Sequence, residues 1–156
     1  MKKLILIATL LFAFSQLKAQ NKPNDGLADF PSALVTIMKS DDTIALDKLV
    51  TTDNINTCYG NYSLLSQAVR ANAKKCFDLL ISKGANVNQV CNGYVPPLMH
   101  AAKYGRMDMV KVLIAKGADK NYVYDGDIES IKDMSPLTYA EAFKQTAVAD
   151  YLKSLK

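Results

Sequence analysis

Apolar positions along this chain fall at helical spacing in short runs, separated by polar turns, and the runs recur. Leu98, Ala101 and Ala102 put apolar groups on one face of a short helix that Gly105 stops. Met109, Val110, Val112, Leu113 and Ile114 then form the apolar side of a second helix, ended by Gly117. The same text stands 33 residues earlier: Ser63-Leu64-Leu65 with Ala68 corresponds to Pro96-Pro97-Leu98 with Ala101, and Leu79-Leu80-Ile81 to Val112-Leu113-Ile114. Gly84-Ala85-Asn86-Val87-Asn88 likewise corresponds to Gly117-Ala118-Asp119-Lys120-Asn121. A period of this length is the signature of a solenoid, in which each unit buries its apolar face only against its neighbours. It speaks to architecture far more than to chemistry.

The pattern extends in both directions. Pro31 to Lys39 predicts a helix with Pro31 in its first turn, and Ser40-Asp41-Asp42 offers turn and N-cap chemistry before a second helix, Thr43 to Val50. Asn54-Ile55-Asn56 lies 32 residues before Asn86-Val87-Asn88, which makes this segment a degenerate first unit capping the stack. Ser135-Pro136-Leu137-Thr138-Tyr139-Ala140 opens a fourth unit, closed by a helix over Ala147 to Leu155. Small side chains at Ala68, Ala101 and Ala140 allow close helix approach. Gly84 and Gly117 suit helix C-termini, where positive φ costs glycine least. Ser135 before Pro136 can cap its helix, whereas Pro96 has no hydroxyl and forgoes that bond. Leu98 to Leu137 spans 39 residues, six more than the period, and Tyr122 to Asp133 holds the excess as an expected solvated insertion.

Pro96-Pro97-Leu98-Met99-His100-Ala101-Ala102-Lys103-Tyr104-Gly105 resembles the T-P-L-H-x-A-A-x-x-G pattern of ankyrin repeats, and Val112 to Asn121 resembles their second-helix ending. Ser63 to Asn88 follows more loosely, with Leu64 at the family's Pro, Ser66 at its His and Asn72 at its Gly. The resemblance covers nearly all of Ala28 to Lys156. It implies an all-α ankyrin-repeat solenoid of about four helix-turn-helix repeats with interhelical hairpin loops, over residues 30–156 with units near 30–60, 61–93, 94–133 and 134–156. It also implies no enzymatic activity, no cofactor, and binding of a protein partner through loop tips and the concave face of the first helices. Carried over by position, that face holds Tyr62, Arg70, Tyr94, Val95, Lys103, Tyr104 and Phe143.

The N-terminus changes the charge argument. Lys2 and Lys3 precede an apolar run from Leu4 to Phe14, and Ala19 is placed as the last residue removed. That layout predicts a signal peptide over 1–19, followed by a flexible leader over 20–29. The run is too short for a stable membrane span, so none is expected after its removal, and no Cys follows it to carry a lipid. The location expected is periplasmic or secreted. Loss of Lys2, Lys3 and Lys18 from the 19 basic residues leaves 16 against 15 acidic ones, a balance of +1. No basic stripe survives for a nucleic-acid partner.

Candidate chemistry is sparse. The single histidine, His100, leaves no His cluster for a metal and no spare for a catalytic triad, and it reads as an ordinary, partly exposed helix residue. Cys76 aligns with Met109 and reads as buried and apolar. Cys58 and Cys91 lie 33 apart, at equivalent places in adjacent loops. Stacked helices sit about 8–10 Å apart and a disulfide wants Cα atoms at roughly 4.4–6.8 Å, which favours free loop thiols. Export favours a Cys58–Cys91 bridge, so both states stay open. Asp125-Gly126-Asp127-Ile128-Glu129 lacks the full calcium-loop pattern. Tyr59, Tyr62, Tyr94, Tyr122 and Tyr124 fall in or beside the loops and either pack there or face a partner. Two functions fit: an exported binding scaffold, or a secreted effector or inhibitor acting on a host or competitor protein.

Overall fold

The computed structural model describes residues 30–155; the expected signal peptide and leader lie outside the described residues. Four helix pairs follow one another: α1 (Ser32–Ser40) with α2 (Thr43–Leu49), α3 (Leu64–Ala71) with α4 (Lys74–Ser82), α5 (Pro97–Lys103) with α6 (Met107–Ala115), and α7 (Pro136–Ala142) with α8 (Thr146–Ser154). The first helices pack side by side as one layer and the second helices stand behind them. Leu34, Leu46, Leu64, Leu80, Leu98, Leu113 and Leu152 belong to one apolar core that runs the length of the array. Ala68, Ala101 and Ala140 are fully buried within it, as close helix approach requires.

Each pair turns at the same point through a left-handed residue: Asp41 (φ 51), Asn72 (φ 56), Gly105 (φ 63) and Lys144 (φ 58). Asn, Asp and Gly tolerate that conformation; Lys144 has no such excuse and carries its strain. The capping logic also holds. Ser63 accepts from the Ser66 amide, Ser135 and Thr138 form a reciprocal capping box, and α5 starts at Pro96 with no side-chain cap. α4 lacks a cap of its own at Ala73. The Asp41 carboxylate supplies it from the preceding pair, accepting from the amides of Lys75 (3.0 Å) and Cys76 (2.8 Å).

The loops depart from the expected spacing. Cys58–Tyr59 (β1) and Tyr62–Ser63 (β2) pair antiparallel, with Cys58 opposite Ser63 and Tyr59 opposite Tyr62. Asparagines tie successive loops together: Asn56 accepts from the Asn86 amide, Asn88 accepts from the Asp119 amide and donates to the Gly117 carbonyl, and Asn92 donates to the Gly60 carbonyl. Where Asn92 reaches Gly60 the loops stand closer than the roughly 8–10 Å usual for stacked helices. Cys58 and Cys91 come to a Cα separation of 5.5 Å and are joined by a disulfide, not left as free thiols. Helix spacing was the wrong ruler for residues carried on hairpins.

The insertion differs as well. It is not merely solvated: Tyr124 and Ile131 are buried with Val95, Met99 and Tyr139 in a second small core. Its backbone closes on itself, with the Tyr124 amide donating to the Met134 carbonyl and the Asp133 amide to the Tyr124 carbonyl, both at 2.9 Å. A 3-10 turn at Glu129–Ile131 carries Ile131 inward. No helix among the described residues is long and apolar enough to cross a membrane.

Candidate functional site

The C-terminal turns of α3 and α5 place Arg70 and Lys103 at matching positions of adjacent units, 33 residues apart, on the face of the first-helix layer. One aromatic ring lies beneath Arg70 and three lie about Lys103. The Arg70 guanidinium lies 3.9 Å above the Tyr62 ring and donates to Gln67 Oε1 at 3.0 Å. Lys103 Nζ stands 4.7 Å from the Phe143 ring, 5.7 Å from Tyr104 and 6.0 Å from Tyr139. Arg106 also lies over the Tyr104 ring, at 6.0 Å. Cations over rings gain roughly 0.5–1 kcal/mol at such exposed sites, and more once water is removed.

Between the two cations lies an aromatic floor. Tyr62 and Tyr94 meet edge-on with centroids 5.7 Å apart, and His100 packs against them at 5.4 and 5.7 Å. Tyr139 and Phe143 continue the floor edge-on at 4.9 Å. His100 is not partly exposed as its place in the helix suggested; it is 2% exposed, and neither ring nitrogen has a hydrogen-bonding partner among the described residues. Burial, reinforced by the charges of Arg70 and Lys103, pulls its pKa down to about 3. The ring is therefore a neutral spacer beneath the tyrosines, unfit as a general base near neutral pH. Burial and its tyrosine neighbours push the Tyr94 hydroxyl upward, so it too stays neutral.

The position-based expectation sorts into three groups. Tyr62, Arg70, Tyr94, Lys103 and Tyr104 are half-buried and share the face, with Phe143 exposed at its far edge. Val95 is buried in the insertion's core and supports the face from beneath. Tyr59 and Tyr124 are buried as well: Tyr59 packs edge-on against Phe30 at 5.2 Å, and burial raises its hydroxyl to about 12. Tyr139 belongs to the floor and was missed in the sequence because it sits inside a repeat-opening motif, where apolar packing explains it. Its signal was the spacing to Phe143, one helical turn on.

Other clusters do not converge on chemistry. Among the described residues no three His, Cys, Asp or Glu side chains gather to hold a metal. Cys76 is buried, and burial together with the Asp41 carboxylate raises its thiol to about 12. A cleft of about 240 Å³ bordered by Asn72, Lys74, Arg106 and Asp108 has its lysine and aspartate paired to each other at 2.9 Å. A family model described as ankyrin repeats, in three copies, matches residues 65–155, which takes in everything from α3 to α8. Among curated proteins, none matches the chain.

Proposed function

As the chain belongs to the ankyrin-repeat family, whose repeats generally serve as protein–protein interaction modules, we propose that it is an exported, non-enzymatic binding scaffold. Its mechanism is presentation of a rigid surface, and the surface is the concave first-helix face with the adjoining loop tips. The observation that carries this reading is the group of half-buried Tyr62, Tyr94 and Tyr104 with exposed Phe143 on one face, flanked by Arg70 and Lys103. Such rings present large contact area and a polar tip at low entropy cost, since their rotamers are already fixed by packing. Stacked repeats hold that geometry before a partner arrives, so little ordering is left for binding.

Export is supported by two separate features. The residues before Gln20 have the layout of a signal peptide, and the Cys58–Cys91 disulfide belongs in an oxidising compartment. Affinity purification from the periplasmic fraction and the culture medium, with wild type beside Tyr94→Ala/Tyr104→Ala, tests both parts. Wild type is expected to recover a partner that the variant loses. Equal recovery by both proteins would remove the face from the proposal, and retention of the protein in the cytoplasm would remove export.

A further inference from the structure

The first-helix face carries positive charge with nothing to answer it. Arg70 and Lys103 have no carboxylate within ion-pair distance among the described residues. Two acids of the neighbouring helices are committed elsewhere: Glu141 of α7 to Lys153 of α8 at 2.7 Å, and Asp108 of α6 to Lys74 of α4 at 2.9 Å. Each free cation is instead fixed over rings, Arg70 on Tyr62 and Lys103 among Phe143, Tyr104 and Tyr139. Their stems are therefore ordered and their charges half-desolvated, which strengthens any ion pair they form. Adjacent helices lie about 8–10 Å apart, so cations at matching positions of neighbouring units are spaced by about that distance. A chain in polyproline II conformation has three residues per turn and rises about 3.1 Å per residue, so its side chains three residues apart share one face at about that distance.

We propose that this face receives an acidic segment of a partner protein in polyproline II conformation, two carboxylates three residues apart reaching Arg70 and Lys103 across the Tyr94 ring. The inference rests on the scaffold reading above and names the chemistry of its partner. A single-stranded nucleic acid would also value rings beside cations, but it needs a charged groove that tracks many phosphates. The mature chain has a balance of only +1, and this face offers two matched cations with Arg106 at one side.

Selection of a displayed random 12-residue peptide library on the folded, disulfide-bonded protein tests it. Wild type is expected to enrich peptides with Asp or Glu pairs three residues apart. A fluorescein-labelled selected peptide should bind Arg70→Gln/Lys103→Gln at least tenfold more weakly, weaken with added salt, and recover on Arg70→Lys/Lys103→Arg. The charge-reversed Arg70→Glu/Lys103→Glu protein, checked for an unchanged circular dichroism melt, should select Lys or Arg pairs at the same spacing. Selected peptides without acidic pairs, or equal binding to the Gln variant, overturn the acidic inference. If those peptides still lose binding to Tyr94→Ala/Tyr104→Ala, the scaffold reading stands without it; if no variant changes binding, both fall. Tighter binding of a labelled twelve-residue oligothymidine than of the best peptide also overturns the inference.

Discussion

His100 shows how one side chain under the binding face sets an acid limit on the fold. Its ring packs against both Tyr62 and Tyr94, fully buried, with a folded pKa of about 3 against an ordinary value of 6.5. Below pH 6.5 the unfolded chain takes up a proton that the native chain refuses. The stability present above that pH is therefore lost as pH falls toward 3, at up to about 1.4 kcal/mol per unit. His100→Leu is expected to flatten urea-unfolding free energies between pH 6.5 and 4. The same change should raise stability at pH 7 by about 1 kcal/mol, because two buried nitrogens without partners disappear. An unchanged acid slope in the variant would assign the loss to other groups.

The helices themselves were the most legible elements, because their boundaries are written in caps and turns. Ser135-Pro136, Gly105, Gly117 and the apolar runs all do in the structure what their local chemistry dictates. The face was legible only by analogy of position: Arg70 and Lys103 could be placed, but the ring stacks that fix them arise from contacts between units. The loops were misjudged for the same reason. Asn56, Asn88 and Asn92 look like ordinary turn formers, yet all three bond across to a neighbouring loop, and those of Asn56 and Asn92 join the two loops that the disulfide bridges. Asp41 is the clearest case at this scale, being a turn residue in one pair and the cap of α4 in the next. Burial acts to raise its pKa, but the Cys76 and Lys75 amides prevail and hold it below 3.8. Its contribution is thus present above the ordinary carboxylate range and lost as pH falls through the folded value. Asp41→Asn keeps the left-handed turn, since Asn tolerates it, but weakens the cap; chemical denaturation at pH 7 should show a loss of about 1 kcal/mol that shrinks as the wild-type carboxylate is protonated in acid.

For the molecule as a whole, the disulfide staples the first hairpin to the next loop across 33 residues of chain. Closing a loop of that length restricts the unfolded state by roughly 3–4 kcal/mol on the chain-entropy account. Dithiothreitol, or Cys58→Ser/Cys91→Ser, should therefore lower the melting temperature by on the order of 10 °C. The double variant should then ignore dithiothreitol, whereas a shift of wild type by less than a degree would show that the staple adds nothing to folding. The bonds in which a side chain of one unit accepts from a backbone amide of the next share an orientation. Asp41 holds the amides of Lys75 and Cys76, Asn56 holds Asn86, and Asn88 holds Asp119; in each the acceptor precedes the amide it satisfies. A chain made from its N-terminus thus displays every acceptor before the amide that needs it, and N-terminal units fold first during synthesis. Losing α7 and α8 would leave those earlier bonds intact, whereas losing α1 and α2 would strip α4 of its cap at once. In these bonds each finished unit presents the acceptors on which the next one closes.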